Sequence, residues 1–160
     1  MKKSFKFDTQ YNQFYIHDKN FEGDTSSINF WSDQSFFQRL AKGKGILGVS
    51  TQSYGYIKGE IEIIPFPPKT TDFDAFNHVV EAGIEIKSGE LQISDCPNAE
   101  IQIKIKIDSG KYRTRIYSSN FESVLETDLA HDTDNDFYRI EVWSSQDMTR
   151  KVLKQYKELY

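Results

Sequence analysis

Cysteine occurs once, at Cys96, in a chain of 160 residues. A single thiol excludes an intramolecular disulfide and any Cys-rich metal site. It stands before Pro97 with no nearby His or base to lower its pKa, so an inert, buried thiol is expected. Long apolar runs are also missing. None approaches the ~20 residues of a membrane span. The stretch Ser4-Phe5-Lys6-Phe7-Asp8, after the basic Met1-Lys2-Lys3, is not the apolar core of a signal peptide. A soluble, cytoplasmic protein without membrane insertion is expected. Positive charge is not in excess: Lys and Arg total 20, Asp and Glu total 24, and the net charge is −4. Such a chain gains no counterion-release term on DNA or RNA, which argues against direct nucleic-acid binding. A basic protein partner is easier to accommodate. There is no internal repeat, low-complexity tract or linker, and the length suits one domain over residues 1–160.

Catalytic signatures are equally scarce. His17, His78 and His131 share no metal-binding spacing such as H-E-x-x-H. There is no G-x-S-x-G, although a triad of Ser and His scattered along the chain stays open. Gly43-Lys44-Gly45 lacks the spacing and the Ser or Thr of a phosphate-binding loop. A non-catalytic protein without a cofactor is the expectation. Asp132-Thr133-Asp134-Asn135-Asp136 begins like a calcium loop, but Phe137 stands where an EF-hand needs Gly, and Trp143 where it needs Glu. Trp31 and Trp143 could stack on a sugar; packing in the core is the commoner role for a Trp that ends a strand, as Trp143 does.

What the chain has in quantity is strand-forming sequence. Hydrophobic residues make up 38% and aromatic residues 14%, with Ile, Phe and Tyr prominent. In Ile101 to Ser118, Ile101, Ile103, Ile105 and Ile107 alternate with Gln102, Lys104 and Lys106. Asp108-Ser109-Gly110 supplies a turn, and Tyr112, Thr114 and Ile116 then alternate with Arg113, Arg115 and Tyr117. The pattern predicts a long antiparallel hairpin with one apolar face and one wetted basic face, the latter open to acidic partners across strands. Further strands are predicted at Gln10–Ile16, Gly45–Ser53, Tyr56–Ile64, Phe76–Glu81 and Phe137–Trp143. Ile84–Ile86 should pair with Leu91–Ile93 across Ser88-Gly89. Residues 1–9 read as loose. Ser32 and Asp33 open a short helix carrying Phe36, Phe37 and Leu40 on an apolar stripe, ended by Gly43 and Gly45. Met148, Val152, Tyr156 and Leu159 recur at helical spacing and predict a C-terminal helix over 145–159. The expected fold class is all-β: an antiparallel β-sandwich of about eight strands, core 10–143, with one helix near each end.

Asn120 to Asp136 is a long acidic connection. Asp128, Asp132, Asp134 and Asp136, with Glu126, are the candidate partner-binding residues, since an acidic loop can occupy a basic substrate groove as a phosphate mimic. The plainer reading is a solvated loop. Several landmarks also fall in a familiar order: Tyr11-Asn12-Gln13-Phe14, Trp31-Ser32-Asp33, Gly45-Ile46, Gly83-Ile84-Glu85-Ile86, Gly110-Lys111-Tyr112 and Tyr138-Arg139-Ile140-Glu141-Val142. Over residues 10–143 the chain resembles the competence protein J family, the DNA-entry nuclease inhibitors of transformable bacilli, relatives of which are thought to serve as immunity proteins. The resemblance implies a small all-β protein that binds and neutralises a nuclease or nuclease toxin. No contact residue of the family is matched. A ligand-binding sandwich for carbohydrate or calcium, or an enzyme, is the alternative.

Overall fold

Alternation of apolar and polar residues dominates the chain, and in a computed structural model, which describes residues 1–158, it is realised as strands facing one core. In chain order they are β1 (Lys2–Asp8), β2 (Gln13–Asp18), helix α1 (Asp33–Gln38), β3 (Leu40–Gly43), β4 (Ile46–Ser50), β5 (Tyr56–Ile63), β6 (His78–Ile86), β7 (Glu90–Ser94), β8 (Ile101–Lys106), β9 (Gly110–Ser119), β10 (Phe137–Ser144) and β11 (Lys151–Lys154). One sheet has the order β1-β5-β10-β9-β6-β11, the other β3-β4-β2-β7-β8. The expected sandwich is present. Its strand pairs are antiparallel except β5 with β10, which run parallel.

Register places like residues in rows. Ile61, Ile140, Ile116 and Val80 line up across the first sheet, and Leu47, Ile16, Ile93 and Ile103 across the second. Burying these two rows against each other removes apolar surface from water, at about 25 cal/mol per Å². Phe5, Phe7, Phe14 and Tyr138 fill one end, with ring centroids 5.7–5.9 Å apart. Gly59 permits this, because a Cβ there would overlap the Tyr138 carbonyl and the Phe5 ring.

Several expectations are corrected. Residues 2–8 are not loose; they pair with β5 and bury Phe5 and Phe7. Ile101–Ser118 is not a hairpin. β8 pairs with β7 in one sheet and β9 with β6 and β10 in the other, so Asp108–Ser109 crosses between sheets. Ser88-Gly89 makes the parallel crossing from β6 to β7, and the two crossings are tied by Ile107 N–H donating to the Gly89 carbonyl at 3.0 Å. An arch and a hairpin both send alternate residues inward, so periodicity alone cannot separate them. Arg113 and Arg115 are buried, not wetted. Their Nε atoms lie 2.7 and 2.6 Å from the two oxygens of Glu81, which stands opposite Arg115 on β6. The acidic partner across strands expected for this face is thus Glu81, and on β10 Arg139 likewise pairs with Glu60 and Glu62 of β5 and with Glu141 of its own strand.

The segment that covers Arg113 is the one predicted as a C-terminal helix. Instead Lys151–Lys154 forms edge strand β11 on β6, and Arg113 Nη1 donates to the carbonyls of Asp147 and Thr149 at 3.0 and 2.7 Å. Leu159 lies outside the described residues. The helical spacing is met by three separate contacts: Met148 against Gly83, Val152 opposite Val80, and Tyr156 edge-on to Phe121 at 4.9 Å. Tertiary pairing overrides the pattern because each of these side chains fills a gap left by the sheet. Helix α1 starts as predicted, with Ser32 Oγ accepting from Ser35 N–H at 3.1 Å. It ends earlier, at Arg39 in the left-handed region (φ 61°), and Leu40 already belongs to β3. Phe36 and Phe37 are exposed rather than forming a buried stripe.

Candidate protein-binding surface at the acidic end

The acidic connection is held to the sandwich by its last residue. Asp136 is 1% exposed, and its Oδ2 accepts from Tyr138 Oη at 2.5 Å, Ser53 Oγ at 2.9 Å and Ser53 N–H at 3.1 Å. Tyr138 Oη also accepts from Gln52 N–H at 2.7 Å. Burial, then the neighbouring Asp136 carboxylate, pushes the Tyr138 hydroxyl well above its ordinary pKa, so it stays a donor. On the other side Asn12, in the left-handed region at φ 55°, donates from Nδ2 to the carbonyls of Ser53 at 3.1 Å and Thr127 at 2.6 Å. These bonds gather Tyr11–Asn12, Gln52–Tyr56 and Thr127–Asp136 at one end of the molecule.

The candidate residues therefore divide. Glu126, Asp128 and Asp132 are exposed at this end. Glu126 meets the His131 ring at 3.2 Å. Asp134 is half-buried and accepts the His131 N–H at 3.0 Å, closing a turn of the loop. Asp136 faces inward as a structural acceptor and is removed from the contact set. Sequence reasoning missed the apolar half of this surface. Leu125 is 83% exposed, Tyr56 67%, Tyr11 58% and Leu129 54%. Tyr11 stands edge-on to Tyr54 at 6.4 Å. Lys6 and Lys58 flank the groove beneath His131–Asp136, with Lys58 Nζ donating to Asn135 Oδ1. Exposed Tyr and Leu side chains thus stand beside exposed carboxylates at this end.

Other sequence candidates resolve differently. Asp134 and Asp136 are each committed to separate partners, and among the described residues no group of three His, Cys, Asp or Glu could hold a metal ion. Trp143 is buried with its ring 5.5 Å from the Arg115 guanidinium, while Trp31 stacks on Phe36 at 4.8 Å; the two form no common sugar platform. Cys96 is buried, and desolvation pushes its thiol up. His17 Nε2 lies 3.0 Å from Ser94 Oγ, and its Nδ1 lies 2.9 Å from the Asp18 carbonyl, which must accept. That tautomer gives a serine–base pair. Both residues are buried, however, with the Phe21 ring 4.9 Å from the imidazole, so no substrate carbonyl can approach Ser94.

No protein-family model matches the chain, and no curated protein matches it in sequence. Solved structures do. The fold is similar to the crystal structure of ComJ from Bacillus subtilis, described as an inhibitor of the DNA-degrading activity of NucA, with 16% identity, a TM-score of 0.66, and 91% of this chain and 99% of that chain covered. It is also similar to the product of crocagin biosynthetic gene J, with 13% identity, a TM-score of 0.56, and coverage of 91% and 98%. The chain thus has a ComJ-like two-sheet fold, matching the order of landmarks in its sequence.

Proposed function

We propose that this protein is a non-catalytic inhibitor that binds a nuclease or nuclease toxin, with the acidic end as its contact surface. The observation that carries the reading is the shared fold over 91% of this chain and 99% of a nuclease inhibitor, ComJ. The acidic end supports it: Glu126, Asp128 and Asp132 project beside exposed Tyr and Leu side chains, the complement of a basic substrate groove.

The test is capture of the partner from the native cell, followed by titration of the purified protein into a DNA-degradation assay with that nuclease. Activity should fall linearly to zero at a fixed molar ratio, without turnover by the protein itself. Failure to inhibit any captured nuclease, or hydrolysis of an ester or sugar by the purified protein, would sink the proposal.

A further inference from the structure

The opposite end of the sandwich carries a cleft that the inhibitor reading does not use. β2 runs from the acidic end at Gln13 to Asp18, and there a cavity of about 360 Å³ opens between the β3–β4 turn and the end of β6. The turn is made by Gly45 at φ +70°, and the loop after β2 folds onto it through Glu22 and Gly23 N–H, both donating to the Lys44 carbonyl. The volume lies within the range of small-molecule sites.

Lys42, Lys44, Lys87 and Lys111 rim this cleft, in a protein whose net charge is −4. Of the carboxylates among them, Asp18 is engaged through its Oδ1, which accepts both the N–H and the hydroxyl of Ser88. Glu85 is 3.7 Å from Lys87, and Glu22 remains on the rim. Lys42 Nζ is held in place by the Met148 carbonyl at 2.6 Å, while Lys44 and Lys111 have no carboxylate within 4.0 Å among the described residues. The apolar side chains of the cleft are Met148 and Phe21, the latter 40% exposed and edge-on to His17, whereas Ile84 packs into the core.

We propose that this cleft binds a small phosphorylated molecule with a flat ring, of the nucleoside diphosphate class. Lysines on one rim, Lys44 and Lys111 among them without a carboxylate partner, suit a multiply charged phosphate, which they meet as point charges. Phe21 and Met148 provide the surface on which the ring lies. The site is independent of nuclease binding, which engages the other end.

The test is an NMR titration of the full chain with ADP, inorganic phosphate and adenosine as probes. ADP should give saturable amide shifts at Phe21, Lys44, Gly45, Gly83 and Lys111. Phosphate should shift the same residues with weaker affinity, and adenosine should be weakest. Lys44→Glu with Lys111→Glu should reduce ADP affinity by roughly tenfold or more, the loss of charge-assisted bonds, with an unchanged thermal melt. Lys44→Ala alone should weaken ADP without touching the fold. Phe21→Ala should weaken ADP and leave phosphate unchanged. Absence of saturable shifts with ADP, shifts mapping outside the cleft, phosphate binding as tightly as ADP, or insensitivity to Lys44→Ala would each overturn the proposal. Nuclease inhibition is read separately, so neither result stands in for the other.

Discussion

Asp136 and Asp128 are the same residue type in one acidic loop, yet they do opposite work. Asp136 accepts three hydrogen bonds in a buried site, and Asp128 is exposed. Asp136→Ala strands the donors of Ser53 and Tyr138 and should cost about 2–4 kcal/mol. Asp128→Asn should stay within about 0.5 kcal/mol. Urea melts check this: the midpoint should move for Asp136→Ala with the slope retained. His78 offers a second residue-scale test. It is fully buried, its Nε2–H donates to the Gln38 carbonyl at 2.8 Å, and its Nδ1 accepts the Tyr156 N–H at 3.0 Å. Desolvation, with the Arg39 guanidinium nearby, lowers its pKa to about 4. Between pH 6.5 and 4 the unfolded chain therefore holds a proton that the folded chain refuses. Stability that is complete above pH 6.5 should be lost as pH falls towards 4, by up to about 3 kcal/mol from this group. His78→Gln, which keeps a donor and an acceptor, should flatten that slope in melts taken across the window. An equal slope in both proteins would remove His78 as the cause.

At the scale of elements, β8 is an edge strand whose pattern is only partly a core pattern. Ile105 is 1% exposed, Ile103 is half-buried and Ile101 is exposed. Ile105→Ala should cost about 2–5 kcal/mol, Ile103→Ala less, and Lys104→Ala within about 0.5 kcal/mol. Denaturant midpoints in any other order would mean that β8 faces the wrong way. Lys104 and Lys106 on this edge, and Lys2, Lys3 and Lys6 on β1, guard both edges against pairing with another chain. Lys3 Nζ reaches across to the Lys104 carbonyl at 2.9 Å and links the two edges.

For the whole molecule, the exposed carboxylates Glu126, Asp128 and Asp132 share one end with Lys6 and Lys58. If the acidic end meets a basic nuclease, long-range attraction should act on association and the apolar anchors on dissociation. Changing Asp128 and Asp132 together to Asn should slow association at low salt and blunt its salt dependence, with stability unchanged. Leu125→Ala with Leu129→Ala should instead speed dissociation. Surface-binding kinetics against the inhibited nuclease separate the two. Association rates indifferent to Asp128 and Asp132 would shift the contact to another face.

Alternation in Ile101–Ile107, Tyr56–Ile64 and Phe137–Trp143 was enough to predict strands and an all-β class, because side-chain direction follows from backbone period alone. The capping Ser32 was legible for the same local reason. Partner choice was not local. Whether Asp108–Ser109 makes a hairpin or a crossing depends on β7 and β6 offering edges on different sheets. Whether Met148, Val152 and Tyr156 form a helix depends on the gaps at Gly83, Val80 and Phe121. The site divides along the same line. Its acidic character stands in the sequence, whereas the burial of Asp136, and the gathering of Tyr11, Tyr56, Leu125 and Leu129 around the remaining carboxylates, come from segments far apart in the chain. Solvent exposure is a property of what packs against a residue, and only the tertiary structure decides that.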